Sequence, residues 1–160
     1  MIDIVAIPAT REESEMSWRP TCPTGTEVEE EVIGHALVSW NGQYVPFHQS
    51  LRAVKSHQPW DPSDPEPRFA SDLHASVALA LGLDDWSGLE FYTAVGSPLD
   101  FFHGVDCFFC FKGKIVTIDL TINSSKQVAK ADLVVNCSYR DAAIAFAAPE
   151  VAKRLAGGVR

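Results

Sequence analysis

The chain has 160 residues, 46% of them hydrophobic and 21% charged, an ordinary globular composition that excludes a disordered polymer. Its formal net charge of -8 at pH 7 argues against a stand-alone nucleic-acid binder, which shows a basic excess. It leaves room for an enzyme that recruits phosphate through bound metal ions and a local basic strip. Apolar runs are too short to span a bilayer. Met1–Ile7 carries Asp3 where a signal peptide would carry positive charge, and no small-residue cleavage site follows. The expectation is one cytoplasmic α/β domain, without membrane contact.

Residues 1–67 read as an N-terminal, β-rich extension. Ile2–Ile7 is a short apolar run of strand character, and Thr10–Pro23 is polar and broken by prolines, a loop. Thr26–Ile33 reads two ways: Thr26 with Glu29 makes a capping box, while Val28, Val32 and Ile33 also suit an exposed strand. Asn41-Gly42 between Ala36–Trp40 and Gln43–Phe47 predicts a hairpin. Gln49–His57 suits a short helix, and the four prolines of Pro59–Pro67 make an irregular surface connection.

From Arg68 the pattern sharpens. Phe69, Leu73, Val77 and Leu81 recur every four residues, a helical stripe that Gly82 ends. Leu89–Val95 favours strand, closed by Gly96-Ser97-Pro98. Val105–Phe111 and Lys114–Ile122 are β-branched and aromatic, with Gly113 in the turn between them. Ala131–Asn136 is a further apolar strand, and Ser138 with Asp141 opens an alanine-rich helix. Pro149 either interrupts that helix or starts a second one ending at Gly157-Gly158, so that residues 68–148 form the core and residues 149–160 a C-terminal helix.

Cys107 and Cys110 have the spacing of a redox or zinc motif. They lie on one predicted strand, and residues three apart on a strand point to opposite faces. They therefore read as small buried apolar side chains. With Cys22 and Cys137 they are expected to be reduced thiols.

Two aspartates carry the chemistry. If Lys112-Gly113 is a two-residue turn, Phe111 faces Lys114, and counting outward brings Asp106 opposite Asp119. Opposed side chains sit roughly 5 Å apart, and like charges there repel. The usual reasons to keep such a pair are a divalent cation between the oxygens or a shared proton. Asp119 also lies in the apolar run Ile115–Ile122, where an unpaired carboxylate is expensive.

The stretch His103-Gly104-Val105-Asp106, the hairpin, and Ile118-Asp119-Leu120-Thr121 resemble the core of the PD-(D/E)XK nuclease superfamily, the restriction-endonuclease-like fold. That core runs helix, three-stranded antiparallel meander, helix, strand, and the resemblance covers residues 68–148. It implies a phosphodiesterase that uses Mg²⁺ or Mn²⁺ on nucleic acid. Asp106 would match the first aspartate, Asp119 the acid of the triplet, and the Leu120 main-chain carbonyl a further metal ligand. Glu90, on the first strand of the meander, is an additional candidate ligand, and Asp72 a weaker one.

The triplet lysine is Thr121 here, and a hydroxyl cannot carry positive charge. Lys126 is the candidate to supply it from a neighbouring element; Lys114 is too near the turn and on the other face by strand parity. His103, in the loop beside Asp106, is a candidate for touching phosphate or water. His35, His48, His57 and His74 show no metal-site spacing. P-loop, dinucleotide and nucleophile-elbow motifs are absent, and Trp18, Trp40, Trp60 and Trp86 are scattered like core or rim aromatics. The rival expectation is a non-enzymatic relative of the same fold that lost its lysine and binds a protein partner in an interaction or regulatory role.

Overall fold

A computed structural model describes residues 29, 31–123, 125–126 and 129–157. In chain order the elements are α1 (Phe47–Lys55), α2 (Arg68–Ala80), β1 (Glu90–Thr93), α3 (Pro98–His103), β2 (Cys107–Phe111), β3 (Lys114–Thr121), β4 (Leu133–Asn136) and α4 (Arg140–Gly157). The fold is mixed α/β. One four-stranded sheet has the order β1-β2-β3-β4, antiparallel across the first two pairings and parallel between β3 and β4.

The β2–β3 hairpin turns on Lys112 and Gly113, both at positive φ (51° and 81°), as a two-residue turn matching strand twist requires. The ladder runs from Phe111↔Lys114 to Cys107↔Ile118. The sheet is covered on both faces. Phe91, Cys107, Phe109, Ile118 and Leu120 pack with Leu73 and Val77 of α2 and Ala147 and Val151 of α4. Tyr92, Phe108 and Cys110 pack in a second cluster with Leu51 and Val54 of α1 and Leu99 of α3. The thiols of Cys107 and Cys110 thus lie on opposite faces, and neither forms a disulfide.

Several expectations need correction. The Asn41-Gly42 hairpin does not form, and among the described residues the N-terminal extension contains no strand. The Asn41 side chain accepts the Gln43 N–H at 3.0 Å in a local turn. The flanking backbone is spent elsewhere: Ala36 N–H donates to the Val95 carbonyl and Leu37 N–H to that of His57. Residues 29 and 31–33 are helical, which decides Thr26–Ile33 toward helix as far as it is described. Ile2–Ile7 and Thr10–Pro23 lie outside the described residues.

A short helix, α3, interrupts the predicted meander between β1 and β2. Its signal was present. Ser97 accepts the Leu99 and Asp100 N–H groups as N-cap, and Pro98 sits at the first helical position. The described residues between β3 and β4 are non-helical, so the expected helix before the last strand is missing there. α4 runs unbroken through Pro149. Proline costs the bond to the carbonyl four residues back, here that of Ala145, and both residues are exposed, where water can replace it.

Candidate metal centre

Asp106 is placed by the end of the hairpin. Beyond Cys107↔Ile118 the ladder does not step on to Asp119; the Asp106 N–H donates to the Ile118 carbonyl at 2.9 Å, so two consecutive residues face Ile118, as in a β-bulge. The next ladder donor, the Leu120 N–H, is taken by the Asp106 side chain, whose Oδ2 accepts it at 2.7 Å. A carboxylate thus replaces a main-chain carbonyl at the end of β2. The predicted register holds through Cys107, and the bulge, not direct opposition, brings Asp106 beside Asp119.

Leu120 contributes its carbonyl to the same place. The Thr121 carbonyl accepts the Cys137 N–H at 2.8 Å on the β4 side. Carbonyls alternate along a strand, so that of Leu120 points to the β2 side, toward Asp106. Asp119 sits between Ile118 and Leu120, both in the larger core, and alternation turns its carboxylate to the opposite face. Asp106 and Asp119 are 3% and 7% exposed.

Lys126 reaches this point through a chain of local bonds. The Asn123 N–H donates to Thr121 Oγ1, the Ser125 N–H to Asn123 Oδ1, and the Lys126 N–H to the Asn123 carbonyl. The segment folds back, and Lys126 Nζ stands 2.6 Å from Asp119 Oδ2. That bond raises the Lys126 pKa and holds the ammonium charged. Thr121, in the place of the triplet lysine, uses its hydroxyl as acceptor within this turn.

Two further acids, Glu29 and Asp100, join the pair, and neither carries a sequence signal that points to the site. Oxygens of Glu29, Asp100 and Asp106 lie within 4.8 Å of one another. Asp100 belongs to α3, and its Oδ2 accepts the Gly96 N–H at 2.9 Å. Gly96 has no side chain for a reason: a Cβ there would stand 2.2 Å from the His35 ring, and its φ is +85°. Burial, then the charges of Glu29 and Asp100, push the Asp106 carboxyl up to about 10. Burial, then the charges of Asp100 and Asp119, push Glu29 up to about 8. Burial also raises Asp100. Among the described residues, Lys126 and His35 offset only part of the charge of these four carboxyls, and burial keeps protons on Glu29 and Asp106 at neutral pH.

Other candidates fall elsewhere. Glu90 does not reach the cluster: it pairs in register with Cys110, at the opposite end of the β1–β2 ladder, and accepts the Tyr92 hydroxyl at 2.7 Å. Asp72 is engaged by Arg140 at 2.6 Å. His103 Nε2 lies 2.9 Å from the Val45 carbonyl, and its ring packs against Tyr44 and Phe47. Lys114 flanks the hairpin turn, and Lys130 Nζ donates to the Phe102 carbonyl.

Among the described residues, Glu29, Asp100 and Asp106 place carboxylate oxygens where they could hold a metal ion, and oxygen donors are the kind that hard cations take. Compared with known proteins, the chain matches no family model, no curated protein and no solved structure. Among the described residues no helix is long and apolar enough to cross a membrane.

Proposed function

We propose that the chain is a divalent-metal-dependent phosphodiesterase, a nuclease of the PD-(D/E)XK type. The observation that carries this reading is the convergence of Asp106, Asp119 and the ammonium of Lys126, 2.6 Å from Asp119, at the end of the β2–β3 hairpin. Supporting the restriction-endonuclease-like fold are a helix, three antiparallel strands and a parallel fourth strand followed by a helix, although the connection into the fourth strand differs. Asp106, Asp119 and the Leu120 carbonyl would hold Mg²⁺ or Mn²⁺, with Glu29 and Asp100 as further oxygen donors. When bound, the cation supplies Lewis acidity at a phosphoryl oxygen.

The chain's own residues do the remainder. Lys126 brings the positive charge that Thr121 lacks, placed to balance charge developing on a phosphate. Asp106 keeps the Leu120 amide satisfied, which fixes the neighbouring carbonyl in direction. The bulge at Asp106 lets both acids approach from adjacent strands without opposing each other directly.

The test is a cleavage assay with Mg²⁺ or Mn²⁺ on plasmid, oligonucleotide and RNA substrates, comparing wild type with Asp106→Asn and Asp119→Asn. Activity lost in both variants supports the reading. The absence of wild-type cleavage on every substrate favours a non-catalytic relative that binds a protein partner, a role to which Thr121 and the net charge of -8 are better suited.

A further inference from the structure

A groove of about 590 Å³ opens at the C-terminal ends of the parallel pair β3–β4. Lys126 lines it and is also the ion-pair partner of Asp119, so groove and acids are continuous. One wall is the start of α4, with Ala142, Ala143 and Phe146 on the helix and Tyr139 just before its first residue, the Tyr139 carbonyl accepting the Ala143 N–H at 2.9 Å. Tyr139 is 78% exposed and Phe146 51%. Two aromatic side chains, two alanines and Asn136 thus line the same groove.

Resting on the nuclease reading, we propose that this groove is the subsite for an unpaired nucleobase beside the scissile phosphodiester, so that the substrate is a single-stranded stretch of nucleic acid. Two lines of argument converge on it. The first is charge. Duplex binding draws on several Lys or Arg contacts to phosphate, yet the chain carries 13 Lys+Arg against 21 Asp+Glu. Among the described residues the groove lining holds one cation, Lys126, which is paired with Asp119, and Arg140 is engaged by Asp72. Stacking on aromatic rings tolerates any base, since every base has a π-face, and supplies binding energy beyond the contact that one lysine makes to phosphate.

The second is shape. A paired base has both faces covered by its neighbours in the stack and its edge by its partner. To enter a recess walled by Tyr139 and Phe146 it must leave the stack. Exposed aromatics scattered singly are common, but two lining one groove, with Lys126 joining that groove to Asp119, are placed for a planar ligand. Lys126 at the junction then meets the phosphate that joins this nucleotide to the next.

The experiment measures anisotropy of a labelled oligonucleotide in Ca²⁺ buffer, to hold the site loaded without turnover. It uses DNA and RNA arms, each offered single-stranded and as a duplex of the same sequence. Wild type is expected to prefer the unpaired strand by roughly tenfold or more. Tyr139→Ala and Phe146→Ala should each lose roughly tenfold on that strand, and Phe146→Trp should retain affinity. Both residues are exposed, so melting temperatures should stay unchanged. Equal affinity for duplex, no binding of any strand, or alanine variants that bind like wild type would overturn the groove assignment. Calorimetric titration with Mn²⁺ judges the metal site separately: it should be unaffected in the two alanine variants. A wild type that takes up the strand but no Mn²⁺ supports the groove and removes the metal-nuclease reading.

Discussion

Lys126 Nζ lies 2.6 Å from Asp119 Oδ2, although neither residue is near the other along the strand direction; the turn built on Asn123 brings them together. The lysine side chain is 37% exposed. The Asp119 side chain is only 10% exposed, so removing the ammonium leaves a buried carboxylate without its counter-charge. Lys126→Ala should therefore lower the metal-free melting temperature, and Mn²⁺, whose binding it leaves intact, should restore much of the loss. Turnover, measured on a cleaved oligonucleotide, should fall by roughly two orders of magnitude or more, as when a transition-state donor is removed. Thr121→Lys in that background should restore part of it. Cleavage indifferent to Lys126 would place the charge elsewhere.

Divalent metal should stabilise the fold. A cation that binds only the native state raises the melting temperature by an amount that grows with the logarithm of its concentration over Kd, and here it would also relieve repulsion among Asp106, Asp119, Glu29 and Asp100. Differential scanning fluorimetry with Mn²⁺ or Mg²⁺ should show an upward shift that disappears in the Asp106→Asn, Asp119→Asn double variant. A shift of the same size in the double variant would sink the assignment.

Stability without metal should fall as pH rises. Asp106 sits at about 10 and Glu29 at about 8, both above the ordinary carboxyl values of 3.8 and 4.5. Across that interval the native state keeps protons that the unfolded chain has already released, so alkaline conditions favour unfolding. In EDTA the melting temperature should decline from about pH 5 to about pH 9, and Asp106→Asn should flatten the slope. Metal must displace these protons, so its stabilising effect should grow with pH. A metal-free melting temperature that rises across the same range would contradict the placement of the acids.

The cysteines should behave as buried thiols. Burial raises both Cys107 and Cys110 above the usual thiol range, and they face separate core clusters. A thiol reagent should modify them slowly in the native protein and at once in denaturant. Elemental analysis should find less than one zinc per chain. One tightly bound zinc that is lost on replacing Cys107 or Cys110 with serine would overturn the strand parity of β2.

Much of the core was legible because its signals are local. The stripe Phe69, Leu73, Val77 specifies one face of α2, and all three are buried. Lys112-Gly113 sets the hairpin turn, and with it the pairing down to Cys107↔Ile118. Period and turn chemistry act within a few residues, so the amino-acid order alone determines them. The reach of Lys126 to Asp119 was also within range of such reasoning, since a short loop joins the two.

The rest was decided by packing between distant segments. Asn41-Gly42 carries a strong hairpin signal, yet Ala36 and Leu37 find their hydrogen-bond partners in Val95 and His57, and no ladder forms. Glu29 reads as a capping-box acid in a segment that suits helix or strand, Asp100 carries no motif, and only tertiary folding sets their oxygens beside Asp106. The bulge that replaces direct opposition of Asp106 and Asp119 depends on the Leu120 amide finding a carboxylate where β2 ends. A residue's own neighbours set its periodicity, but which charges meet in a buried site depends on how helices and sheet pack, and repulsion among those charges leaves no periodic trace in the sequence.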